Sequence, residues 1–556
     1  MSNPAHERAE QSLSLWPGAV VVLVLAPFVG KALHIDDPLF VWTARQILVA
    51  PLDFYGFDVN WYGVNASMAV VNKNPPLVSY YLAALGGTFG FSQAALHLGM
   101  WLPALALVYG IAALAREFGI NPILASVVSI ATPAFMVAAT SLMSDVTMLA
   151  FGIWGLLLAV RAVDSQRVAL ACCAGGLLGL AVLTKYFALA FVPLVIVYGV
   201  MRGRGHASWL LACSVAGLMV AGFDAAYAVL YGVHPIADVM GYATGADAPL
   251  TADVRQRLAV GLFFLGGCTL GPALFAPALW TRREAAALVF VGGLLAAFCV
   301  HVVAAQTDGF DLALHQAVFA LVGVHWLALS AKELHRARDP IAVVLACWIG
   351  GVFVFAAFTN WTTNGRSILP AVPAIGLLVA RAVERRGAIR WERAIAVLAA
   401  SVALAGAVAW GDARLADSGR EAARHFAQRQ GLEADAKLVF QGSWGFQYYM
   451  ESHGIEKFEV GRQAMRPGDQ IVVPGNNTNL VRVPEARTRQ LSIETFEKAD
   501  WISILARRRG AGYHASVWGA LPFSFGTAVP ARYALYEFER PWSPKRRGAR
   551  SGRPTE

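Results

Sequence analysis

Hydrophobic residues come in long blocks along this chain. Windows of about 20 mostly apolar residues, the length that crosses a hydrocarbon core of about 30 Å, recur from residue 15 to residue 410. This pattern predicts about thirteen membrane-spanning helices. We expect them at 15–34, 94–115, 120–140, 145–163, 167–183, 187–201, 208–232, 258–280, 285–305, 312–330, 339–358, 367–385 and 392–410.

Two polar stretches interrupt these windows. The first, 35–93, contains two amphipathic pieces near 38–50 and 76–85, and we expect it to form an ordered outer cap. The second, 233–257, mixes aromatic residues with Gly and Pro. Such a composition fits a mobile loop over a substrate entrance.

A third stretch begins after residue 410 and has the pattern of a small α/β domain, at 411–540. It predicts helices in GREAARHFAQRQ and SWGFQYYMES, and strands in KLVFQG, DQIVVPG and ARYALYEFER. The last residues, 541–556, are basic and poor in apolar residues, which predicts a disordered tail. The chain therefore divides into a transmembrane domain at 1–410, which includes the cap, an α/β domain and this tail.

Composition also indicates a polytopic α-helical membrane protein. Of 556 residues, 57% are hydrophobic and only 15% are charged, whereas soluble domains have about 25% charged residues. All six cysteines lie in predicted spans without metal-type spacing, so we expect no disulfide in the exported parts. The absence of GxxxxGK[ST] and HExxH motifs gives no support to a cytosolic nucleotide-driven enzyme.

Basic residues predict the orientation of the spans, because short loops rich in Lys and Arg stay in the cytoplasm. They cluster in alternate loops, from Arg116 in the first to Arg381, Arg385 and Arg386 in the last. We therefore expect a cytoplasmic N-terminus, a retained first span and an extracytoplasmic α/β domain. The net charge of +9 then reflects topology, and we expect no nucleic-acid partner.

This orientation gathers six ionisable residues at the outer membrane face. A charged side chain at the membrane centre costs about 2.5–3.5 kcal/mol on insertion scales, and those that persist usually line a cavity or pair with one another. We therefore expect a polar cavity that holds an anionic headgroup. Its candidate residues are Asp36, Asp37, Lys73, Asp145, Lys185 and Arg366.

Each candidate also has a purely structural interpretation. Asp36 and Asp145 stand where an acid often caps a helix or complements its dipole. Lys185 and Arg366 fit long side chains that anchor helix ends at the interface, and Lys73 fits a solvated loop charge. The functional interpretation therefore rests on the whole set.

Several short motifs, in a common order, resemble those of a known family. The segment Asp36 to Arg45 reads DDPLFVWTAR and resembles the Asp-Glu-x-x-Tyr-x-x-x-Ala-Arg pattern of GT-C glycosyltransferases related to protein O-mannosyltransferases and aminoarabinose transferases. Four later segments resemble that family's Lys-Pro-Pro-Leu segment, its Asp after span three, its Leu-Thr-Lys segment and its Arg-Tyr-Leu-Leu-Pro-x-x-Pro segment. They are NKNPPLVSYYLAALGGTFGFS, SLMSDVTMLAF, LAVLTKYFALAFVPL and NGRSILPAVPAIGLL. The resemblance covers the membrane part of the chain and implies a GT-C fold.

The resemblance also implies a reaction and roles for the acids. A sugar would pass from a polyprenyl or dolichyl phosphate to a hydroxyl on the outer face, with inversion. Asp36 would be the general base that removes the acceptor proton. Asp37, which replaces the family's usual Glu, and Asp145 would hold the acceptor or a divalent cation.

For the basic residues, the resemblance implies that Lys73, Lys185 and Arg366 hold the departing lipid phosphate, where positive charge stabilises the developing negative charge. The chain departs from the family pattern at two of these positions. Lys73 precedes Asn74 where relatives often read Glu-Lys-Pro-Pro, so the lysine is displaced by one position and the glutamate is missing. The Tyr that often follows the late Arg is Ser367. The missing glutamate weakens the expected metal site.

Two other function classes stay open. A transporter or flippase of lipid-linked sugars would use the same cavity without a base, although the candidate charges cluster at one face instead of at mid-membrane. A scaffold would use the outer domain to bind a partner, but thirteen spans are many for an anchor. The expected partners are a polyprenyl-phosphate sugar, a lipid or protein hydroxyl acceptor and membrane lipids. We expect the inner membrane of a bacterium as the location.

Overall fold

The membrane part is a bundle of apolar helices, as the hydrophobic windows predict. A computed structural model of the protein describes residues 15–203, 206–244, 253–303, 309–387, 389–430 and 437–544. Within these ranges, eight helices are long and apolar enough to cross a membrane, and ten spans result if each of two bent pairs is one span. The helical membrane fold is therefore confirmed, whereas the count of thirteen is not.

The α-helices follow in chain order. They are α1 Trp16–Leu25, α2 Asp37–Val49, α3 Met68–Val71, α4 Leu77–Phe89, α5 Gln93–Glu117, α6 Pro122–Ile130, α7 Pro133–Ala139, α8 Asp145–Ser165, α9 Val168–Thr184, α10 Phe191–Arg202, α11 His206–Tyr231, α12 Pro235–Thr244, α13 Val254–Cys268, α14 Ala276–Leu279, α15 Arg282–Val303, α16 Phe310–Ala337, α17 Pro340–Val354, α18 Gly365–Ile368, α19 Val372–Glu384, α20 Trp391–Gln430 and α21 Trp444–Ser452.

Some predicted spans are broken or short. The window 120–140 forms α6 and α7, which are bent by 71°. The break has a local cause: Pro133 has no N–H to continue the first helix, and the Thr132 side chain caps the second by accepting from Phe135 N. A second bend of 76° separates α13 from Gly271–Leu279. The windows at 15–34, 167–183 and 187–201 give apolar helices of fewer than 18 residues.

The cap contains the two predicted helices. The amphipathic pieces near 38–50 and 76–85 form α2 and α4, which pack against each other. Between them lies a short antiparallel pair, β1 Asp58–Val59 and β2 Ala66–Ser67. In the second polar stretch, α12 and the start of α13 are helical, and residues 245–252 of the predicted mobile loop lie outside the described residues.

The C-terminal domain contains a five-stranded mixed sheet with the order β4-β3-β5-β11-β6. The three strands at one side are parallel, and β11 is antiparallel to both β5 and β6. The predicted strands and helices at 437–452, 469–475 and 531–540 are confirmed. The strands are β3 Leu438–Phe440, β4 Glu456–Lys457, β5 Gln470–Pro474, β6 Thr488–Phe496, β7 Ile502–Ser503, β8 Leu505–Ala506, β9 Ala511–Gly512, β10 Ser524–Phe525 and β11 Ala531–Phe538.

Two structural features cross the expected boundaries of this domain, and the boundaries themselves stay a prediction. Helix α20 runs without a break across residue 410, because its last apolar turns continue directly into an amphipathic helix. At the other end, Trp542 belongs to the fold: it pairs with Met465 through two backbone hydrogen bonds and stacks on Phe458. The rest of the expected tail, residues 545–556, lies outside the described residues.

Candidate active site

Asp36 and Arg366 form an ion pair although they lie 330 residues apart. Arg366 Nη1 donates to Asp36 Oδ2 at 3.1 Å and also contacts Met143 Sδ at 2.7 Å. The Asp36 side chain is 30% exposed and the Arg366 side chain is 20% exposed. Arg366 Nε is buried and has no hydrogen-bond partner among the described residues. The guanidinium therefore keeps one donor for a further anion.

Asp145 and Lys185 form a second pair close to the first. Lys185 Nζ lies 2.6 Å from Asp145 Oδ1, and the Asp145 side chain is only 3% exposed. Its other oxygen, Oδ2, has no hydrogen-bond partner in the described part of the chain. Asp145 also lies within electrostatic reach of Arg366. The two ion pairs thus form one cluster, which we call the outer cluster: Asp36, Asp145, Lys185 and Arg366.

The short helix α18 sets the position of Arg366. The Asn364 side chain accepts from Ser367 N, and the Ser367 hydroxyl accepts from Asn364 N, so the two residues form a capping box. Gly365 lets the backbone approach the ring of Tyr513, because an added Cβ would lie 2.3 Å from that ring. Ser367, which stands where the related family has Tyr, therefore has a structural role here.

Asp37 is fully buried, unlike its neighbour Asp36. Its Oδ2 accepts from His34 N at 2.9 Å, and its Oδ1 accepts from Leu142 N at 2.9 Å and Ser141 Oγ at 3.2 Å. Burial raises the pKa of this carboxyl to about 6. Asp37 was expected to hold an acceptor or a cation, but both oxygens are already used inside the protein. These bonds tie the start of α2 to the loop before α8, and the role of Asp37 toward an acceptor or a cation stays a prediction.

Lys73 makes its ion pair outside the outer cluster. Its Nζ lies 2.5 Å from Asp238 Oδ2 of α12, and the side chains are 34% and 42% exposed. Tyr186, which follows Lys185 in the chain, lies within electrostatic reach of Asp238. The role of Lys73 toward a donor phosphate stays a prediction.

Sequence reasoning missed a second, buried cluster, which is centred on Asp412. Lys31 Nζ lies 2.6 Å from Asp412 Oδ2, and His514 Nε2 lies 2.7 Å from Asp412 Oδ1. His34 Nε2 is 3.6 Å from the same oxygen. All four residues are at most 6% exposed. Lys31 at the end of the first apolar window and Asp412 just beyond the last one were the available signals.

This buried cluster is the one place in the described ranges where three metal-type ligands converge. Ligand atoms of His34, Asp412 and His514 all lie within 4.8 Å of one another. The Lys31 ammonium already neutralises the Asp412 carboxylate, however, and a divalent ion would have to share that carboxylate with it. For the expected cation at Asp145, Oδ2 is the open ligand atom. That site stays a prediction.

A large cavity lies between α2, the β1–β2 segment and the C-terminal domain. Its volume is about 1030 Å³, and its wall includes Trp42, Arg45 and Gln46 from α2 and Glu451 and Lys457 from the domain. Since α2 rises about 1.5 Å per residue, Trp42 lies about 9 Å along the helix from Asp36. The cavity is thus close to the outer cluster and is lined by aromatic and polar side chains.

Comparisons with known proteins agree with the family resemblance. Residues 73–251 match the family described as dolichyl-phosphate-mannose-protein mannosyltransferase. This range includes Lys73, Asp145 and Lys185, while Asp36 and Arg366 lie outside it. The match confirms the resemblance to protein mannosyltransferases over this range. No curated protein matches the chain.

Three solved structures are similar to the chain at low sequence identity. Archaeal oligosaccharyltransferase AglB from Archaeoglobus fulgidus, solved with an inhibitory peptide and a dolichol-phosphate, is 14% identical, with 83% of this chain and 69% of that chain covered and a TM-score of 0.46. ArnT from Cupriavidus metallidurans bound to undecaprenyl phosphate is 16% identical, with coverages of 83% and 93% and a TM-score of 0.44. Arabinofuranosyltransferase AftD from Mycobacteria is 13% identical, with coverages of 95% and 40% and a TM-score of 0.45.

Proposed function

We propose that this chain is a membrane glycosyltransferase that moves a sugar from a polyprenyl-phosphate donor to a hydroxyl acceptor on the extracytoplasmic face of a bacterial inner membrane. The outer cluster is the observation that supports this proposal. Its four residues come from separate segments, and each segment carries one of the motifs that resemble the GT-C family. The family match over residues 73–251 supports the same conclusion.

The basic members of the outer cluster suit the donor phosphate. Arg366 has an unpartnered Nε beside its ion pair with Asp36. A guanidinium binds phosphate through parallel hydrogen bonds, and its positive charge stabilises the charge that develops on the leaving oxygen. Lys185 adds a second cation, held in place by Asp145. The lipid phosphate would therefore lie against Arg366 and Lys185 as it departs.

Asp36 suits the acceptor side of the reaction. Its carboxylate is partly exposed, and Arg366 holds it by one oxygen, Oδ2. Oδ1 would take the proton from the acceptor hydroxyl while the acceptor oxygen bonds to the anomeric carbon. The bond from that carbon to the lipid-phosphate oxygen breaks on the opposite face, so the product has inverted configuration. The proton remains on Asp36 and is released to solvent afterwards.

The acceptor would approach through the cavity between α2 and the C-terminal domain. The cavity has the size of a small-molecule site and a mixed aromatic and polar wall. A lipid headgroup or an exported protein loop that presents a hydroxyl would fit these properties. A divalent cation at Asp145 would assist by binding Oδ2, and its removal by a chelator would test that contribution.

The test is transfer from a labelled polyprenyl-phosphate sugar in membranes that contain the chain. Mass spectrometry of glycolipids and exported proteins should show one added sugar, which identifies donor and acceptor class together. Asp36→Asn should abolish transfer, and Asp53→Asn, a change of an exposed acid in the same cap, should not. A chain that moves the labelled lipid between leaflets without forming any covalent product would be a transporter instead.

A further inference from the structure

We propose that the C-terminal region, which here means the chain after residue 410, takes part in catalysis because it fixes the orientation of the Asp36 side chain. Asp412 is the positioning residue. This inference rests on the function proposed above. The segment concerned is 31–35, which joins α1 to Asp36. We call its bonds to Asp412, Asp417 and Tyr449 the clamp.

Ile35, the residue before Asp36, has a strained backbone. Its φ is +46°, in the left-handed region that β-branched residues almost never adopt. Its side chain is 4% exposed, so it has no room to relax toward solvent. Strain of this kind persists only where the surrounding structure holds the residue, and it is found most often at functional sites. Ile35 turns the chain so that Asp36 faces Arg366.

The clamp supplies contacts that keep Ile35 in its strained conformation. Each backbone N–H from Ala32 to His34 donates to a side chain, and two of the three acceptors belong to the C-terminal region. The bonds are Ala32 N to Asp417 Oδ1 at 3.2 Å, Leu33 N to Tyr449 Oη at 2.8 Å and His34 N to Asp37 Oδ2 at 2.9 Å. The Leu33 carbonyl also approaches Gly445 so closely that an added Cβ would lie 1.9 Å from its oxygen.

Asp412 is the charged centre of the clamp. It binds the Lys31 ammonium with one oxygen and the His514 ring with the other. Asp412 and Lys31 side chains are each 1% exposed. Removing either charge would leave the other one buried and uncompensated, so each residue needs its partner. Lys31 is thereby fixed at one end of the segment whose other end carries Asp36.

A purely structural role and a positioning role predict different measurements. If the buried pair only stabilises the fold, losing it lowers the amount of folded protein but not the rate of each folded molecule. If it positions Asp36, losing it lowers kcat and leaves the donor KM unchanged, because Arg366 and Lys185 still hold the phosphate. It also loosens the segment 31–35 itself.

The test compares Asp412→Asn with a matched change at Glu333. Glu333 is 3% exposed and pairs with Arg385 at 3.0 Å. Asp311, near the start of α16, pairs with Arg509 of the C-terminal domain. Glu333 lies 22 residues further along α16, so it is about 33 Å from that end of the bundle. Glu333→Gln should lower the melting temperature with kcat unchanged. Asp412→Asn should lower kcat at least tenfold, with a donor KM within twofold of the wild type.

Hydrogen exchange gives a readout that does not depend on activity. Peptides covering 31–37 should exchange faster in Asp412→Asn than in the wild type and in Glu333→Gln. Unchanged exchange there would overturn the clamp even if the chain is a transferase. A wild-type chain without any transfer activity would instead refute the proposed function, and the exchange result would still decide whether the clamp exists.

A pair of substitutions at Ile35 isolates the strained backbone. Ile35→Ala and Ile35→Gly both remove the buried side chain beyond Cβ, but only glycine adopts positive φ without a steric penalty. The glycine variant should therefore melt at a higher temperature than the alanine variant and yet have a kcat several-fold lower, because Asp36 is less restrained. If the glycine variant is as fast as the alanine variant, the strained turn does not position Asp36 and the proposal fails.

Discussion

The neighbouring acids at the start of α2 should give opposite results when each is changed to asparagine. Asp37 accepts three hydrogen bonds inside the protein, two of them from the backbone N–H groups of His34 and Leu142. An asparagine has a single acceptor oxygen, so its amide nitrogen must face one of these N–H donors. The change leaves at least one buried N–H unpaired, which costs about 1–3 kcal/mol.

Asp36 has a different environment, so its substitution should lower the rate of transfer more than it lowers stability. Its ion pair with Arg366 is partly exposed, so we expect it to contribute less to stability than a fully buried pair. Loss of a general base, in contrast, lowers a rate by about 10²–10⁴-fold. Asp36→Asn should therefore melt at a higher temperature than Asp37→Asn and lose transfer. Asp37→Asn should melt earlier but retain much more transfer per folded molecule.

The assay measures both quantities on the same detergent-solubilised samples. Intrinsic tryptophan fluorescence gives the apparent melting temperature at one scan rate, and transfer of a labelled sugar gives the rate, normalised to monodisperse protein. Asp37→Asn with a wild-type melting temperature and no transfer would refute the reasoning, because Asp37 would then act in the chemistry. A large loss of stability in Asp36→Asn would refute the assignment of Asp36 as a partly solvated base.

Three further changes test other parts of the structure. Arg366→Lys keeps the charge but loses the planar donor set, so the donor KM should rise at least tenfold, or about 1.4 kcal/mol; an unchanged KM would remove Arg366 from the phosphate site. Lys73→Ala breaks a half-exposed pair with Asp238 and should leave the melting temperature unchanged, whereas a raised donor KM would be expected only if Lys73 binds the phosphate. Burial lowers the pKa of Lys457 from 10.5 to about 7, so the folded state loses this proton before the unfolded state does and stability should increase between about pH 7 and 10.5. Melting curves of Lys457→Met should lack that increase, and an identical pH slope in both proteins would contradict it.

Much of the membrane fold could be predicted because apolar windows and amphipathic periodicity are local properties. Helices α2 and α4 follow directly from such patterns in the cap. The bend at Pro133 could not be predicted from hydropathy, because window averages ignore a single missing N–H. Strand β6 was missed for a related reason: its residues Thr488–Phe496 include none that is fully buried, so its apolar alternation is limited to Leu491 and Ile493.

The candidate site shows the same division. Orientation of the basic loops and the family resemblance placed Asp36, Asp145, Lys185 and Arg366 at one face, and the structure brings these four together. Neither argument could separate Asp36 from Asp37, because adjacent residues at a helix start differ only in which way they point. That difference depends on the loop at 141–142, more than a hundred residues away.

The length of α20 limits how the protein can move. Its 40 residues form a helix about 60 Å long, which runs from the bundle into the C-terminal domain without a proline. A continuous helix between the two parts opposes a large hinge motion of the C-terminal domain relative to the bundle. Entry of an acceptor into the cavity beside α2 must therefore depend on smaller movements of the segments around that cavity. Cross-links that fix α20 against α7 should leave turnover unchanged.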